Sequence, residues 1–189
     1  MNIFFFGGTF DPPHKGHKLI YKHCMKICDK FIFVPTLQSP DKKAPITNKD
    51  IRINMLELLI DKEDKKKVLI DNFEINSKSI PNYTIDTINY LQNKFEKAII
   101  HMVIGGDQYN NLKNWKDYKN IIEKVKIICF NRKIVEFKNN KKINFIDFNY
   151  DISSTLIRKN ISSGKANNIQ KYLTEDINRL ICDNDLYKN

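Results

Sequence analysis

Short apolar runs alternate with segments that carry apolar residues at helical spacing along most of this chain. The apolar runs predict strands at residues 3–6, 31–34, 68–70, 98–104, 125–130 and 143–148. The periodic segments predict helices at residues 15–28, 49–59, 83–93 and 153–161, the last ending near Gly164. Because strands and helices follow one another in turn, the pattern predicts an α/β fold with a parallel sheet flanked by helices on both faces.

The first predicted helix, residues 15–28, carries an apolar face made of Leu19, Ile20, His23, Cys24 and Ile27. The next strand ends at Pro35, so a first β-α-β unit closes there. Residues 38–45 hold two prolines and two lysines and predict a loop at the sheet edge, where long loops usually carry function.

Length and composition favour one domain over residues 1–189, since 41% hydrophobic residues suffice for a packed core. No apolar run is long enough for a membrane span, and the start lacks the features of a signal peptide, so we expect a cytoplasmic protein. The four cysteines form no C-x-x-C pair and no metal-ligand spacing, which predicts reduced thiols. Cys24 and Cys28, one helical turn apart, are expected to be small core residues.

The net charge of +10 could indicate a nucleic-acid partner, but the positions of the lysines argue against it. They crowd into residues 61–67 and 138–142 without interleaved aromatic residues, which is typical of solvated turns. A basic protein also attracts small anionic substrates, and we expect this kind of ligand instead. The oligomeric state stays open, and a homo-oligomer is compatible with the sequence.

Residues 7–17, GGTFDPPHKGH, form the strongest candidate site. The first strand is expected to break at Gly7 and Gly8 and to lead through a turn into a helix that carries His14 and His17. Such a turn offers backbone N–H groups and the positive end of a helix dipole, which together suit phosphate. Gly16 would leave room for a nucleotide or for backbone to approach.

The remaining residues of that turn have simpler expected roles, and one later segment adds donors. Thr9 would line the turn, Phe10 would pack, and Asp11 with Pro12 would shape the loop. Residues 152–158, ISSTLIR, would begin the last main helix with hydroxyls and N–H groups that can bind phosphate, followed by an arginine one turn on. An ordinary serine N-cap is the alternative for this segment.

Asp107 follows Gly105 and Gly106 at the carboxyl end of the strand at 98–104. Ligands of open α/β sheets bind at that edge, so its carboxylate could accept hydrogen bonds from a ribose, although it could equally cap a helix. Trp115, the only tryptophan, lies in a polar stretch where its ring could stack on a substrate ring or pack in the core.

These motifs together resemble a known family. GGTFDPPHKGH and ISSTLIR are similar to the two signatures of nucleotidylyltransferases, enzymes with a Rossmann-like fold. YTIDT at residues 83–87 after Glu74, IGGDQYNNLKNW at 104–115, and Arg52 with Met55 and Leu56 resemble bacterial-type nicotinate mononucleotide adenylyltransferases. The resemblance extends from Ile3 to the closing residues 185–187, DLY.

The resemblance implies transfer of AMP from ATP to nicotinate mononucleotide, giving deamido-NAD and pyrophosphate in NAD biosynthesis. His14, His17 and Arg158 would act in catalysis. The residues that it implies for ATP are Gly7, Gly8, Thr9, Phe10, His14, Gly16, His17, Lys42, Gly105, Asp107, Ile152, Ser153, Ser154, Thr155 and Arg158. The residues that it implies for the acceptor are Tyr83, Thr84, Trp115, Lys116 and Arg132. Mg²⁺ would be held mainly through the ATP phosphates, with no dedicated protein cage.

Two positions depart from the family pattern. Asp41 stands beside Lys42 where relatives carry histidine, and Lys133 follows Arg132 where relatives carry proline. Three alternatives to the main hypothesis stay open: the same chemistry on nicotinamide mononucleotide, the same chemistry on phosphopantetheine, and a basic nucleic-acid binding module that keeps the fold without the activity. Acceptor competition separates the first two from the main hypothesis.

Overall fold

A computed structural model describes residues 1–40, 42–131 and 142–188 of the chain. Its strands are β1 Asn2–Gly8, β2 Lys30–Pro35, β3 Val68–Ile70, β4 Ile99–Gly105, β5 Lys126–Asn131 and β6 Ile143–Asp147. Its helices are α1 Lys15–Cys24, α2 Lys49–Leu59, α3 Thr84–Lys94, α4 Gly106–Asn111, α5 Tyr118–Lys124, α6 Ser154–Ser162 and α7 Glu175–Asp183. Short 3₁₀ turns lie at Lys62–Asp64, Leu112–Asn114, Ala166–Asn168 and Gln170–Tyr172.

The strands form one parallel sheet in the order β3-β2-β1-β4-β5-β6. The switch point is at β1: β2 and β3 are added on one side of it and β4, β5 and β6 on the other, so β1 pairs with both β2 and β4. Open α/β sheets bind their ligands outside the carboxyl ends of the strands at this switch point. The loops that follow β1 and β4 are therefore placed to form one site.

Alternate residues of the central strands build a core on each face of the sheet. Phe4 and Phe6 point into one core, which α1, α2, α6 and α7 cover, while Ile3 and Phe5 point into the other, which α3 and α5 cover. Both faces are buried because parallel strands are joined by helices that pack on either side. The predicted fold class is confirmed.

The pattern located most elements but misjudged several boundaries. β1 does not break at its glycines: Gly7 and Gly8 continue the strand and pair with Val34 and Pro35. Helix α1 ends at Cys24, four residues before its predicted end. Within the predicted apolar face, Leu19 and Ile27 are about half exposed, at 45% and 51%.

Three of the seven helices, α4, α5 and α7, are absent from the four that the sequence pattern predicted, although a helix start near Asp107 was considered. Helix α5 buries only Ile121, which leaves its apolar periodicity too weak to detect. Helix α7 follows α6, which we had expected to be the closing helix, and it buries Ile177 and Ile181. It packs beside α2 and carries the chain end back towards the sheet.

Cys24 and Cys28 lie in the core, as expected of small buried residues. Cys24, Cys28 and Cys129 are buried and Cys182 is exposed, all with free thiols. Burial raises the pKa of the Cys28 thiol to about 11, so it stays protonated in the core. Among the described residues, no helix has both the length and the apolar character needed to cross a bilayer.

Candidate active site

His14 and His17 stand at the start of α1, above the carboxyl end of β1. His14 is the N-cap in an extended conformation, and its carbonyl accepts the N–H of His17 at 2.8 Å. In return the His14 backbone N–H donates to Nδ1 of His17 at 3.1 Å. Because a backbone N–H can only donate, Nδ1 must accept, and the neutral His17 ring carries its proton on Nε2.

The two imidazoles lie face to face, with ring centroids 3.8 Å apart and planes inclined by 24°. Burial, and secondarily the charge of His14, lowers the pKa of His17 well below its ordinary value. Two stacked rings resist carrying two positive charges, so His17 is a neutral N–H donor at physiological pH. Such a donor suits a phosphate oxygen without adding a second cation.

Gly16 is required by the packing of His14 itself. A methyl group placed on Gly16 would lie 2.9 Å from both Nδ1 and Cε1 of the His14 ring and 3.3 Å from Cγ2 of Ile152. The space that we expected for a nucleotide is taken by the imidazole and by Ile152. Glycine here sets the position of the catalytic histidine candidate, which is a different reason from the one that the sequence suggested.

The first glycines and the residues after them divide between open space and packing. A methyl group on Gly7 would meet no atom within 4 Å, whereas one on Gly8 would lie 3.0 Å from the Phe10 ring. Phe10 is 3% exposed and packs edge-on against His17 at 5.1 Å, which confirms its predicted packing role. The backbone at Gly7 therefore has open space beside it at the carboxyl end of β1.

Asp11 ties the site loop to other segments, as expected of a loop-shaping residue. Its buried carboxylate accepts the backbone N–H of Ile46 at 2.8 Å through Oδ2 and the hydroxyl of Tyr187 at 2.6 Å through Oδ1. Arg52, 1% exposed, donates from Nη1 to the carbonyls of Thr9 at 2.7 Å and Thr36 at 2.8 Å. These contacts fix the loop of residues 9–11 to the loops after β2, to α2 and to the chain end.

The second motif meets the first through hydrogen bonds to backbone carbonyls. The Ser154 hydroxyl donates to the carbonyl of Pro12 at 2.9 Å, and Nη1 of Arg158 donates to the carbonyl of Asp11 at 2.6 Å. Nη2 of Arg158 reaches Oγ1 of Thr155 at 3.3 Å. The start of α6 therefore lies against the loop that carries His14.

Ser153 caps a helix, which was the alternative to phosphate binding for this segment. It is the N-cap of α6, and its hydroxyl accepts the N–H of Leu156 at 3.2 Å. The buried Ile152 before it packs against the Gly16 position. Thr155, in contrast, is exposed at the first turn of the helix.

Asp107 lies at the end of β4, next to the carboxyl end of β1. Gly105 is the N-cap of α4, and its N–H donates to Oε1 of Gln108 at 3.1 Å. Asp107 is therefore not the N-cap that we had considered, and its side chain is exposed at the first turn. Its exposed carboxylate lies at the sheet edge where a ribose was expected to bind.

Among the predicted acceptor residues, Lys116 contacts Tyr83, which is next to Thr84. Tyr83 is the N-cap of α3, Thr84 begins that helix, and Nζ of Lys116 lies 4.2 Å from the centre of the Tyr83 ring. Trp115 is partly buried and packs against the core beneath α3 and α5. Lys42 is exposed in the loop after β2, while Arg132 and Asp41 lie outside the described residues.

A buried network beneath Tyr83 was missed by sequence reasoning. Oδ1 of Asn82 accepts from the Thr36 hydroxyl at 3.1 Å and from the N–H of Leu37 at 2.9 Å, while Nδ2 donates to the carbonyl of Glu74 at 3.2 Å. Glu74 also accepts the hydroxyl of Thr87 at 2.5 Å, and burial raises the pKa of its carboxyl. The network joins the loop after β2 to the start of α3.

The described residues include no group of three or more His, Cys, Asp or Glu side chains that could hold a metal ion. One exposed carboxylate, Asp107, stands at the switch point of the sheet. This donor set fits a metal ion that arrives with phosphate ligands, since Mg²⁺ is commonly bound through one or two carboxylates plus substrate phosphates.

A family model described as cytidylyltransferase-like matches residues 5–160. A curated probable nicotinate-nucleotide adenylyltransferase from Clostridium tetani is 34% identical, covering 97% of this chain and 97% of the relative. One from Shouchella clausii is 33% identical, covering 96% and 94%. The solved structure of Plasmodium falciparum nicotinic acid mononucleotide adenylyltransferase complexed with NaAD has a TM-score of 0.83 at 22% identity, covering 98% of this chain and 97% of that chain, and it shows the fold.

Proposed function

The chain belongs to the cytidylyltransferase-like family and, within it, to the nicotinate-nucleotide adenylyltransferases, and on that basis we propose that it transfers AMP from ATP to nicotinate mononucleotide. The products are deamido-NAD and pyrophosphate, as a step of NAD biosynthesis. The observation that carries the proposal is the pair of hydrogen bonds by which Ser154 and Arg158 close on the loop before His14. Two helix N-termini then share one phosphate site.

The reaction needs positioning and positive potential more than proton transfer. A phosphate monoester loses its second proton at about pH 6, so the acceptor phosphate is already an anionic nucleophile at neutral pH. One of its oxygens bonds to the α-phosphorus of ATP in line with the departing bridging oxygen, and the bond to pyrophosphate breaks. The electron pair of that bond leaves with pyrophosphate, so no general base is required.

The first motif supplies donors at the leaving side of the reaction. His17 presents an Nε2–H donor, because its Nδ1 is engaged by the His14 backbone. His14 and the first N–H groups of α1 add to the same positive region. Gly7, with open space around its backbone, lets the nucleotide approach the edge of the sheet.

The second motif completes the phosphate site from the other side. Thr155 exposes its hydroxyl at the first turn of α6, and the guanidinium of Arg158 beside it provides a fixed charge. Ser154 and Ser153 act through the backbone, the former by holding Pro12 and the latter by capping the helix. Lys42, exposed in the loop after β2, is a further cation for the triphosphate.

The acceptor lies across the carboxyl end of β4. The exposed carboxylate of Asp107 accepts hydrogen bonds from a ribose, while Tyr83, Thr84, Trp115 and Lys116 bind the nicotinate nucleotide. The support for this half is the contact between Lys116 and Tyr83, in which Nζ of Lys116 lies 4.2 Å from the centre of the Tyr83 ring and places a cation there. Arg132, outside the described residues, is proposed to face the same ligand.

A divalent metal completes the charge balance, and we assign it as Mg²⁺. It neutralises phosphate charge when bound to ATP, and Asp107 is the described carboxylate in place to contact it indirectly. We further propose that residues 1–189 act as a single nucleotidylyltransferase domain, and that it works in the cytoplasm, where its free thiols stay reduced.

The test is pyrophosphate release from ATP and Mg²⁺ with each candidate acceptor in turn. We expect nicotinate mononucleotide to be used with the highest kcat/KM, and high-resolution mass spectrometry to identify deamido-NAD as the product. Nicotinamide mononucleotide and phosphopantetheine serve as matched acceptors. Equal or higher kcat/KM with either of them would overturn the assignment of the acceptor. No pyrophosphate release with any of the three would overturn the proposed adenylyl transfer.

A further inference from the structure

The chain end returns to the phosphate site in an unusual backbone conformation. After α7 ends at Asp183, Asp185 and Tyr187 both have positive φ, at 50° and 64°. Residues with a Cβ disfavour this region, so other contacts must hold the tail there. The N–H of Leu186 donates to the carbonyl of Ile181 at 3.0 Å, which turns the tail back onto the helix.

This turn buries the Tyr187 side chain, which is 5% exposed. Its hydroxyl donates to Oδ1 of Asp11 at 2.6 Å, within the loop that leads to His14. Burial, then the neighbouring Asp11 carboxylate, raises the pKa of the phenol, so the hydroxyl remains a donor at physiological pH. The phenol therefore supplies a permanent hydrogen bond to a buried carboxylate.

Asp11 also contacts groups that line the proposed phosphate site. Its carboxylate also holds the backbone of Ile46, its carbonyl holds Nη1 of Arg158, and its neighbour Pro12 is held by Ser154. A cavity of about 300 Å³ opens beside these groups and is lined by Ile46, Thr155, Arg158, Lys159, Ser162 and Tyr187. The Tyr187 side chain and Arg158 therefore line the same cavity, into which we place anionic groups of the ligand.

We propose that Tyr187 is a positioning residue for the phosphate site, which sets the loop at Asp11 so that His14 and Arg158 face the ATP phosphates together. The proposal rests on the proposed function for its assay and extends it to a residue far from both signatures. Buried carboxylates need their hydrogen-bond donors, so loss of the phenolic hydroxyl forces Asp11 to find another partner and moves the loop. A shift of this kind changes the alignment of the reacting phosphates.

Tyr187→Phe removes the hydroxyl and keeps the ring. We expect kcat to fall about 10- to 100-fold and the Kd of a non-hydrolysable ATP analogue to rise about 3- to 10-fold, with KM for the acceptor within about twofold of wild type. Tyr172→Phe is the matched control, because Tyr172 packs edge-on against Tyr150 at 5.8 Å, outside the site. Activity and affinity are measured well below the melting temperature of each variant.

A double-mutant cycle with Asp11→Asn tests whether Tyr187 acts through Asp11. We expect the double variant to be no more than about twofold worse than the poorer single variant, because the two residues share one contact. Wild-type values of kcat and of the Kd for ATP in Tyr187→Phe, with only a lowered melting temperature, would show a structural role and overturn the proposal. If wild type itself releases no pyrophosphate, the proposed function fails, and the ratio of the two Kd values still decides the role of Tyr187.

A measurement on wild type keeps the question decidable if Tyr187→Phe does not fold. Coupling between two sites is reciprocal, so binding of the ATP analogue must stabilise the tail if the tail stabilises the phosphate site. We expect amide hydrogen exchange of Leu186 to slow at least about threefold when the analogue is bound. Unchanged exchange at Leu186, in protein saturated with the analogue, would overturn the proposal.

Discussion

Nη1 of Arg158 donates to the main-chain carbonyl of Asp11 at 2.6 Å, across 147 residues of sequence. The contact joins the start of α6 to the loop before α1, so the two signature motifs form one structural unit before any ligand arrives. Arginine suits this position because its planar fork reaches Thr155 with Nη2 while Nη1 holds the loop. The charge is thereby fixed in place and needs little reorganisation during the reaction.

Arg158→Lys keeps the charge but loses the fork. We expect kcat/KM for ATP to fall about 10- to 100-fold, because lysine cannot hold the Asp11 carbonyl and reach Thr155 together. Steady-state kinetics with varied ATP measure the effect. Arg179→Lys, the same change at an exposed position on α7, is the control. Similar activity of the two variants would contradict a role for the fork.

Gly16→Ala tests whether glycine positions the His14 ring. The added methyl group would lie 2.9 Å from the imidazole, so the ring must move away from its contact with His17. We expect kcat/KM to fall about 100-fold, while the melting temperature changes little because alanine favours the helix. Leu19→Ala, at an exposed position of the same helix, provides the comparison. A fully active Gly16→Ala enzyme would show that the ring position is unimportant.

Gly7→Ala separates ligand contact from protein stability. The new methyl group meets no protein atom within 4 Å, so we expect the melting temperature to stay within about 2 °C of wild type. If a nucleotide approaches the backbone here, the Kd for an ATP analogue rises about tenfold or more. Calorimetric titration measures it. Unchanged affinity would remove Gly7 from the ATP site.

Much of this architecture follows from local patterns. Runs such as Phe4 to Phe6 and Met102 to Ile104 are apolar on both faces, which in a chain of this size indicates central strands of a parallel sheet. The motif around His14 could be located because it combines residue types that phosphate chemistry needs, whereas the motif that ends at Arg158 was located through its resemblance to a family signature. Their meeting at the carbonyls of Asp11 and Pro12 confirms that they belong together in the fold.

The features that the sequence did not predict depend on contacts between distant residues, which no local sequence pattern indicates. Tyr187 reaches Asp11 across 176 residues, and nothing in a tail tyrosine indicates that partner. Helical spacing shows which way α1 faces but not how wide its buried stripe is, so Leu19 and Ile27 were wrongly placed in the core. Gly7 and Gly8 continue β1 because pairing with β2 overrides the low strand preference of glycine.

Acid should destabilise the protein through the two histidines whose pKa is lowered in the folded state, His101 and His17. Burial, then the charge of Lys126, lowers the pKa of His101 to about 4, while an unfolded histidine titrates at about 6.5. The unfolded state therefore binds the proton first, and the stabilisation present above about pH 6.5 is lost as the pH falls towards 4. The lowered pKa of His17 acts in the same direction.

His101→Gln should flatten this acid dependence. Urea unfolding at pH 7.5, 6 and 5 measures it, and we expect wild type to lose on the order of 1 to 3 kcal/mol more than the variant over this range. His23→Gln, the same change at an exposed position of α1, controls for the loss of an imidazole in general. Parallel curves for wild type and His101→Gln would contradict the assignment.

Lys116→Gln tests the acceptor half of the site without touching the phosphate half. Nζ of Lys116 lies 4.2 Å from the centre of the Tyr83 ring, where it adds positive charge beside the residues proposed to bind an anionic nucleotide. We expect KM for nicotinate mononucleotide to rise about 5- to 10-fold, with KM for ATP unchanged, because glutamine keeps a polar side chain only slightly shorter than lysine but not the charge. Lys113→Gln, exposed in the same segment, is the matched control.

Since added salt screens the charge of Lys116 but leaves the neutral glutamine unaffected, the difference in KM for nicotinate mononucleotide between wild type and Lys116→Gln should narrow as ionic strength rises. A difference that persists in high salt would mean that Lys116 acts through packing on Tyr83 and not through its charge.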